Sequence, residues 1–288
     1  MSDQKVSEQT YQTHKLPTWC PGCGDYGIWM SLKKALSSLG YGTNEAAMVY
    51  GIGCHGNMYN WMKTYGFSSL HGRTLPVAQG IKLGNHSIPV IAVCGDGDGL
   101  GEGGNHFLHA ARRNPDITMI LHDNQVYGLT TGQSAPTAPK GFKSKSTPAG
   151  ATDEPINPVA LAITNGATFV ARGFAGDQPH LVELIKQAIA HKGFSLVDIL
   201  QPCVSFNKVN TYDWYRERVY TLDDSYTPDN KFKAYEKAYE WGEKIPTGVF
   251  YKEEKPTSEG IEPAIQNEIL QKLSLDIPNF EEILTEFY

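Results

Sequence analysis

The chain has 288 residues, with 25 Lys and Arg against 31 Asp and Glu and a formal charge of -6. That length supports a large core and one or two domains. The acidic balance argues against nucleic acid as a partner, and no apolar run reaches the ~18 residues of a membrane span.

In chain order, residues 1–16 begin with the polar stretch MSDQKVSEQTYQTHK. It lacks an apolar secretory core and reads as an N-terminal arm. Five cysteines, an odd count without an export signal, argue against a disulfide framework and for a reducing cytoplasm. DYGIWMSLKKALSSLGYG spaces Ile28, Leu32, Ala35, Leu36 and Leu39 as a helix stopped at Gly40. EAAMVYGIGC reads as a buried strand entering a glycine loop, and TLPVAQGIKLGN as a helix with Pro76 in its first turn. IPVIAVCGDG and ITMILHDNQ read as strands, with GEGGNHFLHAARRNPD a helix between them. NPVALAITNG and QPHLVELIKQAIAHKG are helical around the strand TFVARGF, and FSLVDILQPC is the last strong strand. Continuous apolar strands separated by helices predict an α/β fold, a doubly wound and mostly parallel sheet covered on both faces.

Two regions break this rhythm. Thr130–Pro158 is rich in Thr, Ser, Pro, Gly and Lys, a long loop of the kind that serves a binding site. Beyond Cys203 the pattern weakens. YDWYRERVY and NKFKAYEKAYEWGEK read as short aromatic helices, with sparse helices around Ile265–Leu273 and Phe280–Phe287. The expected division is therefore an arm over 1–16, one domain over 17–203, and an extension over 204–288 that packs on that domain or on a partner.

VCGDGDGLGEGG lies between a strand and a helix, and four readings compete for it. No Gly-Lys-Ser/Thr follows, which excludes a P-loop. An EF-hand starting at Asp96 and Asp98 would need Leu100 and Phe107 as calcium ligands. A dinucleotide fingerprint fits Gly99, Gly101 and Gly104 with Asp123 downstream, but its glycines start late after the strand. The fourth reading is a thiamine diphosphate motif. Gly95-Asp96-Gly97 ends one strand, and Asn124 ends the next, twenty-eight positions on. Magnesium seeks an octahedron of oxygens, and adjacent strand ends let Asp96 and Asn124 converge on one ion, with the Val126 carbonyl as a third protein ligand. The glycines let the backbone approach a diphosphate. The plain alternative is that Asp96 and Asn124 are ordinary turn residues.

The cysteines add a second question. Cys20 and Cys23 form a CPGC unit, and Cys54 and Cys203 each end a strand in a loop. Cys94 sits within an apolar strand, as a small buried hydrophobe would. Four cysteines suit a 4Fe–4S cluster, and on count they suit zinc equally. Zinc sites usually pair two CxxC units, whereas here the second pair is split between distant loops.

WCPGCGDYG, GIGCHGN, HGRTLPVAQGIKLGN, CGDGDGLGEGGNHFLHAARRN, HDNQVYGLTTGQSAPTAP and QPCVSFNKVNTYDWYRERVY, in that order, resemble the beta subunit of the 2-oxoacid:ferredoxin oxidoreductases, most nearly the 2-oxoglutarate type. The resemblance runs from about Pro17 to Tyr220. It implies cluster ligation by Cys20, Cys23, Cys54 and Cys203, and magnesium held by Asp96, Asn124 and Val126. It implies thiamine diphosphate contacts from Ile52, Gly53, Cys54, His55, Gly95, Gly97, Asp98, Asn124, Gly128 and Leu129. Expected activity is CoA-dependent oxidative decarboxylation of 2-oxoglutarate to succinyl-CoA and CO2, with electrons passing to ferredoxin. The alternatives are a pyruvate or broad 2-oxoacid enzyme, a non-redox thiamine carboligase, and a cluster-only electron-transfer subunit. The expected partner is an alpha subunit, in an alpha–beta heterodimer or a dimer of heterodimers. His55, His71 and Arg73 are catalytic candidates. Thr130, Thr131 and Gln133 are candidates for contact with the acid's distal carboxylate. Asn57 and Thr131 stand where some members carry Lys.

Overall fold

The computed structural model describes residues 6–223, 225–266, 268–273 and 280–285. Its strands are β1 (Ala47–Tyr50), β2 (Tyr65–Ser68), β3 (Val90–Gly95), β4 (Ile117–Asp123), β5 (Val126–Tyr127), β6 (Gln133–Ser134), β7 (Phe169–Phe174), β8 (Ser195–Leu200), β9 (Val219–Thr221) and β10 (Ile245–Lys252). Its helices are α1 (Gly24–Ser38), α2 (Thr74–Gly84), α3 (Gly104–Arg113), α4 (Pro158–Asn165), α5 (Gln178–Ala190), α6 (Tyr212–Arg216), α7 (Lys231–Ala238), α8 (Ser258–Ile261) and α9 (Phe280–Thr285).

Eight strands form one sheet in the order β2-β1-β3-β4-β8-β7-β10-β9, and β5 and β6 make a separate hairpin. Every pairing in the large sheet is parallel except β10 against β7. Strand period explains the two-sided core. Ile91 and Val93 of β3 face a cluster with α1 and α5, while Val90, Ala92 and Cys94 face one with α2, α3 and α4. The sequence-predicted α/β, doubly wound sheet is what forms. Helix ends follow local chemistry. Asn157 caps α4 by accepting from the Ala160 amide, with Pro158 at the first position, and Asn114 closes α3 in the left-handed conformation.

Past Cys203 the sequence and the fold diverge. YDWYRERVY is helical only as α6 and then becomes β9. β10 was not anticipated, because Pro246 and Gly248 mask its apolar run. Around Ile265–Leu273 the described residues form two short 3-10 turns, Pro263–Ile265 and Leu270–Lys272. The expected helix at Phe280–Phe287 is α9, and residues 286–288 lie outside the described residues. No helix among the described residues is long and apolar enough to cross a membrane.

Candidate functional site

The carboxyl ends of four adjacent strands, β1, β3, β4 and β8, lead into the loops that carry the candidate residues. In an open α/β sheet this end is where ligands bind. After β3 the chain does not enter α3 directly. Gly97–Glu102 forms one turn of π-helix, capped by Asp96, whose side chain accepts from the Gly97 amide. π-Turns concentrate at functional sites.

A first cleft of about 80 Å³ is lined by Ile52, Gly53, Cys54 and His55 after β1, Gly95–Asp98 after β3, and Asn124 with Val126–Thr130 after β4. It therefore gathers every residue that the sequence assigned to thiamine diphosphate or magnesium. His71 lines it too, whereas Arg73, Thr131 and Gln133 do not. Arg73 instead meets His106 at the surface. Thr130 donates its hydroxyl to Gln133 at 2.6 Å, and Thr131 is exposed with φ at 80°.

Asp96 is buried, and its carboxylate accepts from the amides of Gly97 at 2.9 Å and Gln125 at 2.7 Å and from the Thr137 hydroxyl at 2.6 Å. Burial still pushes it up to about 6 against those donors, a mark of negative charge short of compensation. Asn124 accepts from the Val126 amide at 3.0 Å. Carboxylate, amide and carbonyl oxygens are the hard donors that magnesium takes. A Cβ on Gly97 would meet the Tyr127 ring at 2.3 Å, so only glycine fits at this turn. Asp98 accepts from the Ile52 and Gly72 amides and from His71 at 2.8 Å. Burial works against its ionisation, but the hydrogen bonds it accepts, the Ile52 and Gly72 amides among them, outweigh it and hold its carboxyl below the usual range. The Nε2 of His55 accepts from the Gly95 amide at 2.9 Å, which pins the imidazole against β3.

A second cavity of about 300 Å³ is lined by Cys20, Cys23, Cys54 and Cys203 together with Asp25 and Gln201. Cys20-Pro21-Gly22-Cys23 is a type II turn, closed by the Cys23 amide on the Cys20 carbonyl at 2.9 Å, with Gly22 at φ 82°. The Gly24 amide binds the Pro202 carbonyl at 3.1 Å, drawing this turn onto the loop of Cys203. Trp19 donates to the Cys54 carbonyl at 2.7 Å and so joins the third segment. Cys54 and Cys203 sulfurs flank Gly128, at 3.5 and 3.7 Å from where its Cβ would stand. Cys20 is exposed, Cys54 half-buried, and Cys23 and Cys203 buried. Burial raises the Cys23 thiol far above its usual range and pushes Cys54 up to about 12, with Asp25 and Cys203 adding to both. Among the described residues no three His, Cys, Asp or Glu side chains converge closely enough to hold a single metal ion. The four cysteines share one cavity. Cys94 is fully buried among the apolar residues of the sheet, away from this cavity.

The two cavities share Cys54, Asn124, Gly128 and Leu129 as a common wall. Sequence reasoning missed two polar residues here. Asp25 is buried, 2.6 Å from His122 Nδ1 and 3.4 Å from the Cys23 sulfur. Gln201 is buried between Asn124 and Cys23. Each lies two positions from a cysteine, and that proximity was the one available signal.

Comparison with known proteins places this arrangement. Residues 40–199 match the family model described as the thiamine pyrophosphate enzyme, C-terminal TPP-binding domain. Residues 203–267 match the model for the C-terminal part of the pyruvate ferredoxin oxidoreductase beta subunit. A 2-oxoacid:ferredoxin oxidoreductase subunit beta from Sulfolobus sp. is 48% identical over 251 residues, 82% of each chain. The 2-oxoglutarate oxidoreductase subunit KorB of Mycobacterium tuberculosis is 43% identical over 206 residues, 72% of this chain and 55% of that one. Among solved structures, 2-oxoglutarate:ferredoxin oxidoreductase from Magnetococcus marinus, with 2-oxoglutarate, coenzyme A and succinyl-CoA bound, superposes with a TM-score of 0.87. The two are 38% identical, and the match covers 89% of this chain and 88% of that one.

Proposed function

Because the chain belongs to the beta subunits of the 2-oxoacid:ferredoxin oxidoreductases, we propose that it holds thiamine diphosphate, magnesium and a 4Fe–4S cluster for CoA-dependent oxidative decarboxylation of 2-oxoglutarate. When bound, thiamine diphosphate supplies an electron sink for decarboxylation, and the cluster takes the electrons one at a time toward ferredoxin. The shared wall between the two cavities carries the reading, since a cofactor in one and a cluster in the other would stand side by side.

Asp96, Asn124 and the Val126 carbonyl hold magnesium, and the glycine turns on either side leave room for the diphosphate. Gly128 and Leu129 line the cleft that would take the cofactor on one side and border the cysteine cavity on the other. Cys20, Cys23, Cys54 and Cys203 hold the cluster. They border one cavity of about 300 Å³, which supports a multi-iron group over a single zinc ion, whose four sulfurs would sit within about 2.3 Å of it. His55 and His71 are the imidazoles at the cleft, and the Gly95 amide keeps His55 oriented. No glutamate is among the residues described as lining the cleft. Glu102 instead lies behind it, against His71 at 3.7 Å and Tyr127, and by the family resemblance the acid that would orient the cofactor comes from the alpha subunit.

Reconstitution with the alpha subunit under anaerobic conditions tests this. Iron and thiamine assays with a visible spectrum separate it from a carboligase, which lacks iron, and from a cluster-only subunit, which lacks thiamine. A higher kcat/KM for 2-oxoglutarate than for pyruvate is expected. Equal values would favour the second reading, broad 2-oxoacid specificity, to which the name of the Sulfolobus relative points.

Thr130 is the candidate distal-carboxylate contact that reaches the cleft. Thr130→Val keeps the shape and removes the hydroxyl. It is expected to lower kcat/KM for 2-oxoglutarate about fivefold relative to pyruvate, the value of one neutral hydrogen bond. An equal loss on both acids would assign that selection to the alpha subunit alone.

A further inference from the structure

Gln201 begins the loop after β8, and its backbone amide is tied to the Asp123 carbonyl at 2.9 Å. Its side chain is 2% exposed and makes two bonds of opposite sense. The amide oxygen accepts from Asn124 Nδ2 at 3.0 Å, and the amide nitrogen donates to the Cys23 sulfur at 3.4 Å. Neighbouring backbone leaves it little freedom, for a Cβ on Gly24 would lie 2.6 Å from its Cγ.

Resting on the function proposed above, we propose that Gln201 is a positioning residue that couples the magnesium site to the cluster. An amide has distinct ends, and each bond here fixes one. Asn124 spends its donor end on Gln201, which leaves its oxygen as the end available to a cation. A flipped Asn124 would set Nδ2 against the Val126 amide, which now donates to Oδ1 at 3.0 Å. Gln201 in turn keeps its own orientation because Cys23 sulfur is an acceptor for its N–H. A thiolate strengthens that acceptor, so the ligand that binds iron also fixes the amide that presents oxygen to magnesium. Outer partners of metal ligands act in this way, orienting the ligand and tuning the metal. The N–H placed on Cys23 sulfur also stabilises the reduced, more negative cluster and raises its potential.

Two variants separate the two ends. Gln201→Glu keeps an acceptor for Asn124 but loses the N–H on sulfur and adds charge. It is expected to shift the cluster midpoint potential negative, read by redox titration with electron paramagnetic resonance, without weakening magnesium-dependent thiamine diphosphate binding. Gln201→Met, of similar volume, loses both bonds. Its cofactor affinity by calorimetry should fall about 10–100-fold, with the potential again more negative. Should the methionine protein not fold, the potential of the near-isosteric Gln201→Glu still tests the cluster end, without which there is no bridge. A wild type that binds cofactor and cluster, with an unmoved potential in Gln201→Glu or an unmoved affinity in Gln201→Met, overturns the bridge alone. A wild type without iron overturns the bridge together with the reading beneath it.

Discussion

Asp96→Ala is expected to weaken thiamine diphosphate binding by more than about 100-fold, beyond what changes behind a metal ligand cost, while the cluster spectrum persists. The diphosphate brings negative charge to a site where Asp96 and Asp98 are already buried. A divalent ion would offset these charges, and Asp96 is the proposed protein ligand that carries a formal charge. Alanine removes that charge and strands the Gln125 amide, which now donates to Asp96 at 2.7 Å. A stranded buried donor costs about 1–3 kcal/mol of stability. Asp96→Asn therefore belongs beside it, since it keeps the volume and discards the charge. Calorimetric titration with magnesium and cofactor reads both variants. Cofactor affinity equal to wild type in Asp96→Asn would remove Asp96 from the metal site.

Cys203→Ser is expected to lose most of its iron and with it ferredoxin reduction, whereas Cys94→Ser should keep a full cluster. The contrast follows from placement. Cys203 borders the cavity with Cys20, Cys23 and Cys54, and Cys94 is packed inside β3 against the apolar face. Serine at Cys94 exchanges a fully buried thiol, set among apolar residues and the Thr74 side chain, for a more polar hydroxyl, at about 1 kcal/mol of folding stability. Iron content and thermal unfolding of the two proteins, measured together, distinguish ligand loss from packing loss. Iron retained in Cys203→Ser and lost in Cys94→Ser would reverse the ligand assignment.

Much of the fold was legible because its strands are continuously apolar and its helices carry clear caps and stops. Gly95-Asp96-Gly97 and Asn124 could be paired because β3 and β4 are neighbours joined by one helix, so spacing along the chain translates into proximity. The cysteines were harder. Cys54 and Cys203 are 149 positions apart, and nothing local brings them together. That takes the sheet order, the Gly24 to Pro202 bond and the Trp19 to Cys54 bond. Gln201 and Asp25 were missed for the same reason, since a polar residue near a motif has meaning only through its partners. β9 and β10 escaped because β9 is only three residues within an aromatic stretch, and Pro246 and Gly248 interrupt the apolar run of β10. Arg73 looked suited to the cleft from its position before α2, yet it meets His106, set by the first turns of α3.

The four thiols differ in how far they are covered, and Cys20 stands in solvent while Cys23 and Cys203 do not. Were a cluster held among them, its Cys20 corner would be the one that this chain leaves uncovered. That corner offers a short route off the protein for an electron, and it offers dioxygen the same route in. Oxidative loss should then begin at the Cys20 side and spread inward, with the buried thiols released last. Durability in air would depend on how much of the time a docked partner shields that corner, and catalytic turnover and oxygen damage would compete for the same few square ångströms of surface.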